Sequence, residues 1–359
     1  MRILMLNYEF PPLGGGAANA TYYLLKEFSK MKNIEIDLVT SSIDEYQEEQ
    51  FSNNIKIYKL DIGKKEIHYW TQFEILRYSW KTYKLSKKLK KEKNYDLCHA
   101  WFGVPCGYIA KKLKLPYIVA LRGSDVPGYN SRFSFQYIFL KPIIKSVWKN
   151  AGSVIANSEG LKNLALETMN IPIKVIYNGI DTKEFKPKFN KNKKLKILCV
   201  SRLIQRKGIE YLINAVKSLE VELTIIGKGK QESYLKSIAP KNVEFLGYIP
   251  HENIGKYYRN SDIFILPSLN EGMSNTILEA MASGLPIITT NTGGTKELIK
   301  GNGFVVSMRD SDAIKKAILK YIENPELIKT HGLKSREIAE KMSWENIAGE
   351  YYKVYRRMK

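Results

Sequence analysis

The stretch Pro267-Ser268-Leu269-Asn270-Glu271-Gly272-Met273-Ser274-Asn275-Thr276-Ile277-Leu278-Glu279-Ala280-Met281-Ala282-Ser283-Gly284-Leu285-Pro286 decides how the rest of the chain is read. It follows an apolar run, Ile263–Leu266, that reads as a buried strand ended by Pro267. Glu271 then falls in the loop at the strand's carboxyl end, and Gly272 opens backbone conformations closed to other residues. Ser274 or Asn275 is placed to cap a helix over 276–283, which Gly284 and Pro286 end. That helix carries Glu279. Within one continuous helix the two acids would point about 80° apart. With Glu271 ahead of the helix, one carboxylate can face a sugar while the other accepts hydrogen bonds from vicinal hydroxyls. The first amides of the helix, near Ser274, Asn275 and Thr276, have no acceptor inside it, and with the helix dipole they suit a diphosphate. The plainer alternative leaves both acids in solvent, with Ala280, Met281 and Ala282 merely packing.

Working outward, short apolar runs alternate with helical stretches along the whole chain, the pattern of parallel sheets with crossover helices. Arg2–Leu6, Ile34–Thr40, Ile55–Leu60, Leu97–Ala100, Tyr117–Leu121, Ser153–Ala156 and Lys174–Ile176 read as strands of one array. Ser158 is placed to cap a helix. From Tyr177 to Lys194 the alternation breaks around Asn178-Gly179, Pro187 and the polar run Lys188–Lys194. A second array then begins, with strands at Leu195–Val200, Glu222–Ile226, Val243–Phe245, Ile263–Leu266, Pro286–Thr289 and Gly303–Val306. The helices among them include 208–218, 254–259 and 276–283, and a last helix covers 344–357. We therefore expect an α/β protein of two Rossmann-like domains, 1–176 and 194–342, joined by a linker at 177–193, with 343–359 as a terminal helix. In such sheets ligands bind at the carboxyl ends of the strands.

Further constellations fall at strand ends. Ser201-Arg202-Leu203-Ile204-Gln205-Arg206-Lys207-Gly208 follows the first strand of the second array. Arg202 as a bidentate fork and Lys207 as a point charge can both meet a diphosphate there. Gly227-Lys228-Gly229 marks a close backbone approach after the next strand. Leu121-Arg122-Gly123-Ser124-Asp125-Val126-Pro127 brings a cation and an acid to a strand end of the first array. The loop Pro11-Pro12-Leu13-Gly14-Gly15-Gly16 lies too far from its strand for a dinucleotide fingerprint, and Asp37 stands inside its strand rather than at its end.

Composition bounds the partners. The net charge of +21 calls for an anionic one: a phosphorylated substrate, nucleic acid or an anionic membrane. Lysines crowd at Lys81–Lys93, behind Phe73, Ile75, Leu76, Tyr78 and Trp80, which is the form of a helix lying on a membrane surface and equally of a surface helix with a core stripe. A nucleic-acid-binding protein would need a basic stripe with stacking aromatics or a helix-turn-helix, and neither is present. Cys98, Cys106 and Cys199 and the four histidines fit no metal or disulfide spacing, so neither metal nor cofactor is expected. Without a run long enough to span a bilayer, and with too short an apolar start for a signal peptide, the chain is expected to be cytoplasmic.

Taken in order, these stretches resemble glycosyltransferase family 4 over nearly the whole chain. The resemblance rests on Pro11-Pro12-x-Gly14-Gly15, Asn178-Gly179-Ile180-Asp181, Ser201-Arg202-Leu203 with Lys207-Gly208, the Gly-x-Gly at 227–229, Phe245-Leu246-Gly247, the Glu271/Glu279 pair, and Asn291-Thr292-Gly293-Gly294 with Glu297. It implies the GT-B fold, two Rossmann-like domains facing across a cleft, with the final helix packing back on the N-terminal one. It implies transfer of a sugar from a nucleotide diphosphate donor, UDP before GDP, with retention at the anomeric carbon and no required metal. The acceptor would be a cell-envelope glycan or glycolipid, met at the inner face of the cell membrane. By motif position Arg202 and Lys207 would hold the diphosphate, Glu279 the ribose, Glu271 the donor sugar, and the base would lie near Tyr248 and Ile249. Gly227 would border the donor. Gly15 and Gly16 would border the diphosphate and acceptor from the opposite domain, with Arg122 and Asp125 on the acceptor side of the cleft. Arg122 stands where many members have histidine, and Lys228 where many have aspartate. Arg122 cannot serve as a base near neutral pH. Another GT-B enzyme, such as a sugar-nucleotide epimerase, is the nearest enzymatic alternative, disfavoured by Arg202 and Lys207 standing together with the glutamate pair.

Overall fold

A computed structural model describes residues 1–358 except 68, 131–133, 189–191, 271–272 and 293. The chain divides into two compact units, Met1–Gly179 with Trp344–Lys359, and Ile180–Ser343.

The first unit runs β1 (Arg2–Leu6), α1 (Gly16–Phe28), β2 (Glu35–Ser42), β3 (Gln47–Ser52), β4 (Ile55–Asp61), α2 (Gln72–Glu92), β5 (Leu97–Trp101), α3 (Tyr108–Leu113), β6 (Tyr117–Leu121), α4 (Ser134–Lys149), β7 (Ser153–Ala156), α5 (Glu159–Thr168) and β8 (Ile173–Val175). Its sheet has the order β3-β4-β2-β1-β5-β6-β7-β8. All of these pairings are parallel except β3 with β4. The central strands are continuous apolar runs because helices cover both faces of a parallel sheet. The strand order reverses between β1 and β5, so the loops that follow these two strands diverge there. Local signals start the helices as the residues suggest. Thr71 and Glu74 form a reciprocal capping box at α2, and Ser158 Oγ accepts the Leu161 N–H at 3.1 Å to cap α5. β3 was not foreseen from the sequence. It is a polar, antiparallel edge strand whose Glu48 and Glu49 pair with Lys56 and Lys59 across the ladder, so it lacks the apolar alternation that marks a strand.

The second unit runs β9 (Leu195–Val200), α6 (Ile209–Val216), β10 (Val221–Ile226), α7 (Glu232–Ile238), β11 (Val243–Gly247), α8 (His251–Arg259), β12 (Ile263–Leu266), α9 (Asn275–Ala282), β13 (Ile287–Thr290), α10 (Thr295–Leu298), β14 (Gly303–Val306), α11 (Ser311–Glu323) and α12 (Glu326–Lys341). The sheet order is β11-β10-β9-β12-β13-β14, parallel throughout. Ile197, Cys199, Leu223, Ile225, Ile263 and Ile265 form its buried centre, covered on one side by Leu212, Ile213, Ile318 and Tyr321. The order reverses between β9 and β12, the switch point at which open α/β sheets form a crevice.

The last helix, α13 (Trp344–Met358), belongs to the first unit, as the resemblance implied. It lies against α1, and its Trp344 ring stacks on Tyr23 at 5.8 Å. Lys174 and Glu350 form an ion pair at 3.0 Å, and His99 Nδ1 meets the Tyr355 hydroxyl at 2.7 Å. Gly179 is fixed by this return: a Cβ there would come within 2.5 Å of the Trp344 ring. Cys98, Cys106 and Cys199 are all buried thiols without disulfides.

Candidate functional site

In the second unit the carboxyl ends of four adjacent strands converge. Ser201-Arg202 follows β9, Gly227 follows β10, Tyr248-Ile249 follows β11, and the Pro267–Ser274 segment follows β12. Backbone hydrogen bonds weld these ends together. The Leu203 N–H donates to Lys228 O at 2.9 Å, and the Gly227 N–H to Gly247 O at 2.7 Å. Gly227 has φ +140°, and a Cβ there would lie 1.8 Å from Ser201 O, so only glycine admits this approach. Across the switch point the Leu269 N–H donates to Arg206 O at 2.8 Å. Gly208, left-handed at φ +62°, sits so close to Pro267 that a Cβ would come within 2.3 Å of its carbonyl oxygen. These two contacts tie the turn that carries Lys207 to the segment that leads into α9. Lys207 is buried in that turn, and Arg202 is exposed.

Glu271 and Gly272 lie outside the described residues. Ser274 occupies the position before α9, as expected, but its hydroxyl faces Thr276 Oγ1 at 3.2 Å and caps no amide. Its carbonyl accepts the Leu278 N–H at 3.2 Å, the first turn of a helix whose N-terminal amides point to the strand ends. Glu279, one turn further on, is buried, and both of its carboxylate oxygens are engaged. The Tyr258 hydroxyl donates to Oε2 at 2.7 Å, and His251 Nε2 lies 3.2 Å from Oε1. His251 Nδ1 is also 3.7 Å from Glu184. The hydrogen bond to Glu279 raises the His251 pKa above the ordinary imidazole value, against the opposing effect of burial. Burial, then Glu279, hold the Tyr258 phenol far above its usual value, so it stays a donor. Phe185 packs edge-on against both rings at 5.7 Å, and Arg336 donates to the Phe185 and Ala282 carbonyls at 2.7 Å, closing the far end of α9. His251 and Tyr258 were missed from the sequence. They stand on α8, 28 and 21 positions from the acid they hold, and only their spacing on one helix face hinted at a pair.

In the first unit Gly15 and Gly16 open α1, and the Gly15 N–H donates to Glu9 Oε2 at 3.3 Å. Burial pushes the Glu9 carboxyl up to about 7. Arg122 and Asp125 are engaged within the unit. Asp125 accepts the backbone N–H groups of Arg122 and Gly123 on Oδ1 at 2.9 and 3.0 Å, and of Gly103 on Oδ2 at 2.8 Å, which offsets a burial that would otherwise raise its pKa further. Arg122 donates to Asn178 Oδ1 at 2.8 Å and to the Tyr351 hydroxyl at 3.0 Å, with its guanidinium 3.9 Å over the Trp101 ring. The position where the resemblance leads one to expect a histidine thus carries a stacked, forked cation braced by α13. His99, stacked between Trp101 and Tyr351, is held neutral by burial and by Arg122. Among the described residues no group of three or more His, Cys, Asp and Glu is arranged to hold a metal ion.

Comparison with known proteins matches two family models, glycosyltransferase family 4 over residues 14–184 and glycosyl transferases group 1 over residues 181–338. The chain is 28% identical to an uncharacterized glycosyltransferase of Methanocaldococcus jannaschii, across 100% of this chain and 99% of that one. Its fold is similar to sucrose-phosphate synthase from Thermosynechococcus elongatus, with a TM-score of 0.83 at 21% identity over 100% of this chain and 99% of the other. It is also similar to the Anabaena protein HepE in complex with UDP, with a TM-score of 0.76 at 19% identity over 99% and 100%. These likenesses establish the two-sheet GT-B architecture.

Proposed function

We propose, for a chain that belongs to glycosyltransferase family 4 and is a hexosyltransferase-type enzyme, that the second unit binds a nucleotide diphosphate sugar and that the sugar leaves with its anomeric configuration retained. The observation that carries the reading is Glu279: a buried carboxylate, oriented on both oxygens by Tyr258 and His251, in a helix whose lead-in segment is pinned at Leu269 to the turn of Lys207. Each carboxylate oxygen keeps an acceptor direction for one hydroxyl of a vicinal diol, and the ribose of the donor supplies that diol. Arg202 and Lys207 neutralise the diphosphate as it departs, with the amides near Ser274, Asn275 and Thr276, so no metal is required. The base lies near Tyr248 and Ile249, beside Gly227, and Glu271 contacts the donor sugar. UDP is favoured over GDP, in keeping with the UDP held by the Anabaena protein.

Retention by double displacement needs a nucleophile beneath the ring, and no residue of the sequence clearly supplies one. The reading is therefore a same-face return. The anomeric C–O bond to the diphosphate breaks, the acceptor oxygen bonds to the same face, and the departing phosphate oxygen takes the acceptor's proton. The acceptor is a cell-envelope glycan or a lipid-linked glycan, with the enzyme peripheral at the inner face of the cell membrane and no nucleic-acid role. Among the described residues no helix is long and apolar enough to cross a membrane.

The test is a panel of UDP-, GDP- and ADP-sugars scored by thermal shift and slow donor hydrolysis. A ligand that binds only the native state raises stability with occupancy. One nucleotide, UDP, should raise the melting temperature and be turned over, and the first-formed sugar should keep its anomeric configuration by NMR. No shift with any of the three, or an inverted product, would overturn the reading.

A further inference from the structure

Two helices of the first unit carry large apolar side chains into solvent. On α2 these are Phe73, Leu76 and Trp80, and on α4 Phe135, Ile138 and Phe139, all between 57% and 80% exposed. Their spacings confine each trio to one side of its helix, within about 60° on α2 and about 100° on α4. These faces are not overflow from the core, because each helix buries a different set: Tyr78, Thr82 and Leu89 on α2, and Tyr137, Ile144, Val147 and Trp148 on α4. Tyr78, expected from the sequence to belong with the outward aromatics, instead donates its hydroxyl to Val39 O at 3.1 Å inside the core. Isolated exposed apolar residues are ordinary, but two ordered rows on neighbouring helices are not.

Placement unites the two rows. Helix α3 touches both α2 and α4, so the three lie side by side. Each of the two long helices follows a strand of the parallel part of the sheet, β4 or β6, and must run back along it. Their first turns therefore sit at the carboxyl end of that sheet, the end that also carries Gly15, Gly16 and the Arg122–Asp125 loop. The charge on these helices is predominantly positive, although Lys81 pairs with Asp61 and Lys88 with Glu92. Helix α2 carries six lysines and Arg77 against Glu74 and Glu92, and Glu74 is buried against Lys64. Helix α4 carries Lys141, Lys145 and Lys149 with no acid. The Lys84 ammonium rests 3.7 Å from the centre of the Trp80 ring, placing cation and apolar group at one spot.

We propose that the outer faces of α2 and α4 form a two-helix docking surface for an anionic lipid bilayer, a proposal that deepens the membrane-facing reading above and rests on it. Aromatic and aliphatic side chains enter the headgroup boundary while the lysines meet lipid phosphates. The same charge argues against a second copy of this chain, which would bring matching lysines from a molecule of net charge +21. Leu76 and Ile138 have no π-face on which a nucleic-acid base could stack. The surface sets the glycine loop and Arg122 at the bilayer side of the unit, where a lipid-linked acceptor would present its head.

The full chain, without nucleotide sugar, is sedimented with vesicles of phosphatidylcholine alone or mixed with phosphatidylglycerol at about 0.1 M salt. Binding to the anionic vesicles should be at least about tenfold tighter than to the neutral ones. The pairs Phe73→Ser with Trp80→Ser, and Phe135→Ser with Phe139→Ser, should each weaken it about tenfold or more while leaving donor hydrolysis unchanged. Equal binding to both vesicle types, or wild-type binding by both variant pairs, overturns the surface. So does a wild-type dimer that these substitutions split while no vesicle is bound. A wild-type chain that binds neither vesicle type yet hydrolyses its donor overturns the surface alone. Intact vesicle binding in a chain that hydrolyses no nucleotide sugar overturns the transfer reading and leaves the surface standing.

Discussion

Tyr258 donates its hydroxyl to Glu279 Oε2 at 2.7 Å inside the second unit, and this bond aims the one buried carboxylate of α9. Its removal should act on donor binding before it acts on chemistry. Tyr258→Phe should weaken nucleotide diphosphate binding by about tenfold, the scale of one hydrogen bond to a charged group, with kcat nearly unchanged. Titration calorimetry with the nucleotide selected by the donor panel, set against its 2′-deoxy analogue, separates aim from mere stability. The wild type should discriminate between the two ligands and the variant should discriminate less. Equal discrimination would show that Tyr258 does not orient the carboxylate.

His251 gives the same acid a pH dependence. Its folded-state pKa is raised, chiefly by the hydrogen bond to Glu279, with Glu184 and Glu252 adding to the pull. The sign follows. Below the ordinary imidazole value of about 6.5 the protonated ring pairs with Glu279 in the folded state and contributes its full stabilisation. That contribution fades as pH rises through the raised folded-state value. Against His251→Gln, the wild type should therefore melt higher at acid pH, and the gap should narrow as pH rises above about 6.5. A gap that is flat or widens with pH would contradict the pairing.

The glycines offer a test of the backbone weld. Gly227→Ala forces a Cβ into the space of Ser201 O from a positive φ and should cost about 3 kcal/mol, or about 6–12 °C in melting temperature for a unit of this size. Gly349→Ala, in α13 with open space around it, should instead stabilise by about 0.5–1 kcal/mol. Circular dichroism melts of both variants check the pair of signs.

Arg122→Lys keeps the charge but loses the fork to Asn178 and Tyr351 and the stack on Trp101. We expect about 2 kcal/mol of destabilisation in urea titration. No loss would mean that the brace between the β6 strand end and α13 contributes nothing to the fold.

Much of this was legible in the chain because parallel strands read as unbroken apolar runs, most plainly where both faces are buried. Arg2–Leu6, Tyr117–Leu121, Ser153–Ala156, Leu195–Val200, Ile263–Leu266 and Gly303–Val306 emerge with the bounds expected of them. Strand β3 did not, because an exposed edge needs charge rather than apolar alternation. The strand-end motifs of the second unit were visible as residue types, since Gly227 and Gly208 mark backbone contacts that no side chain tolerates. The partners of those motifs were hidden. Nothing local joins His251 and Tyr258 to Glu279, or Tyr351 to Arg122 across more than two hundred positions, since such pairs are made by tertiary packing alone.

The central claim is that Arg202 and Lys207 neutralise a departing diphosphate, and the turnover number of donor hydrolysis in Arg202→Ala and Lys207→Ala tests it most directly. With folding verified by melting, the account predicts that kcat falls by at least about 10²-fold in each variant, the scale of losing one preorganised charge. Near-normal turnover in both would contradict it.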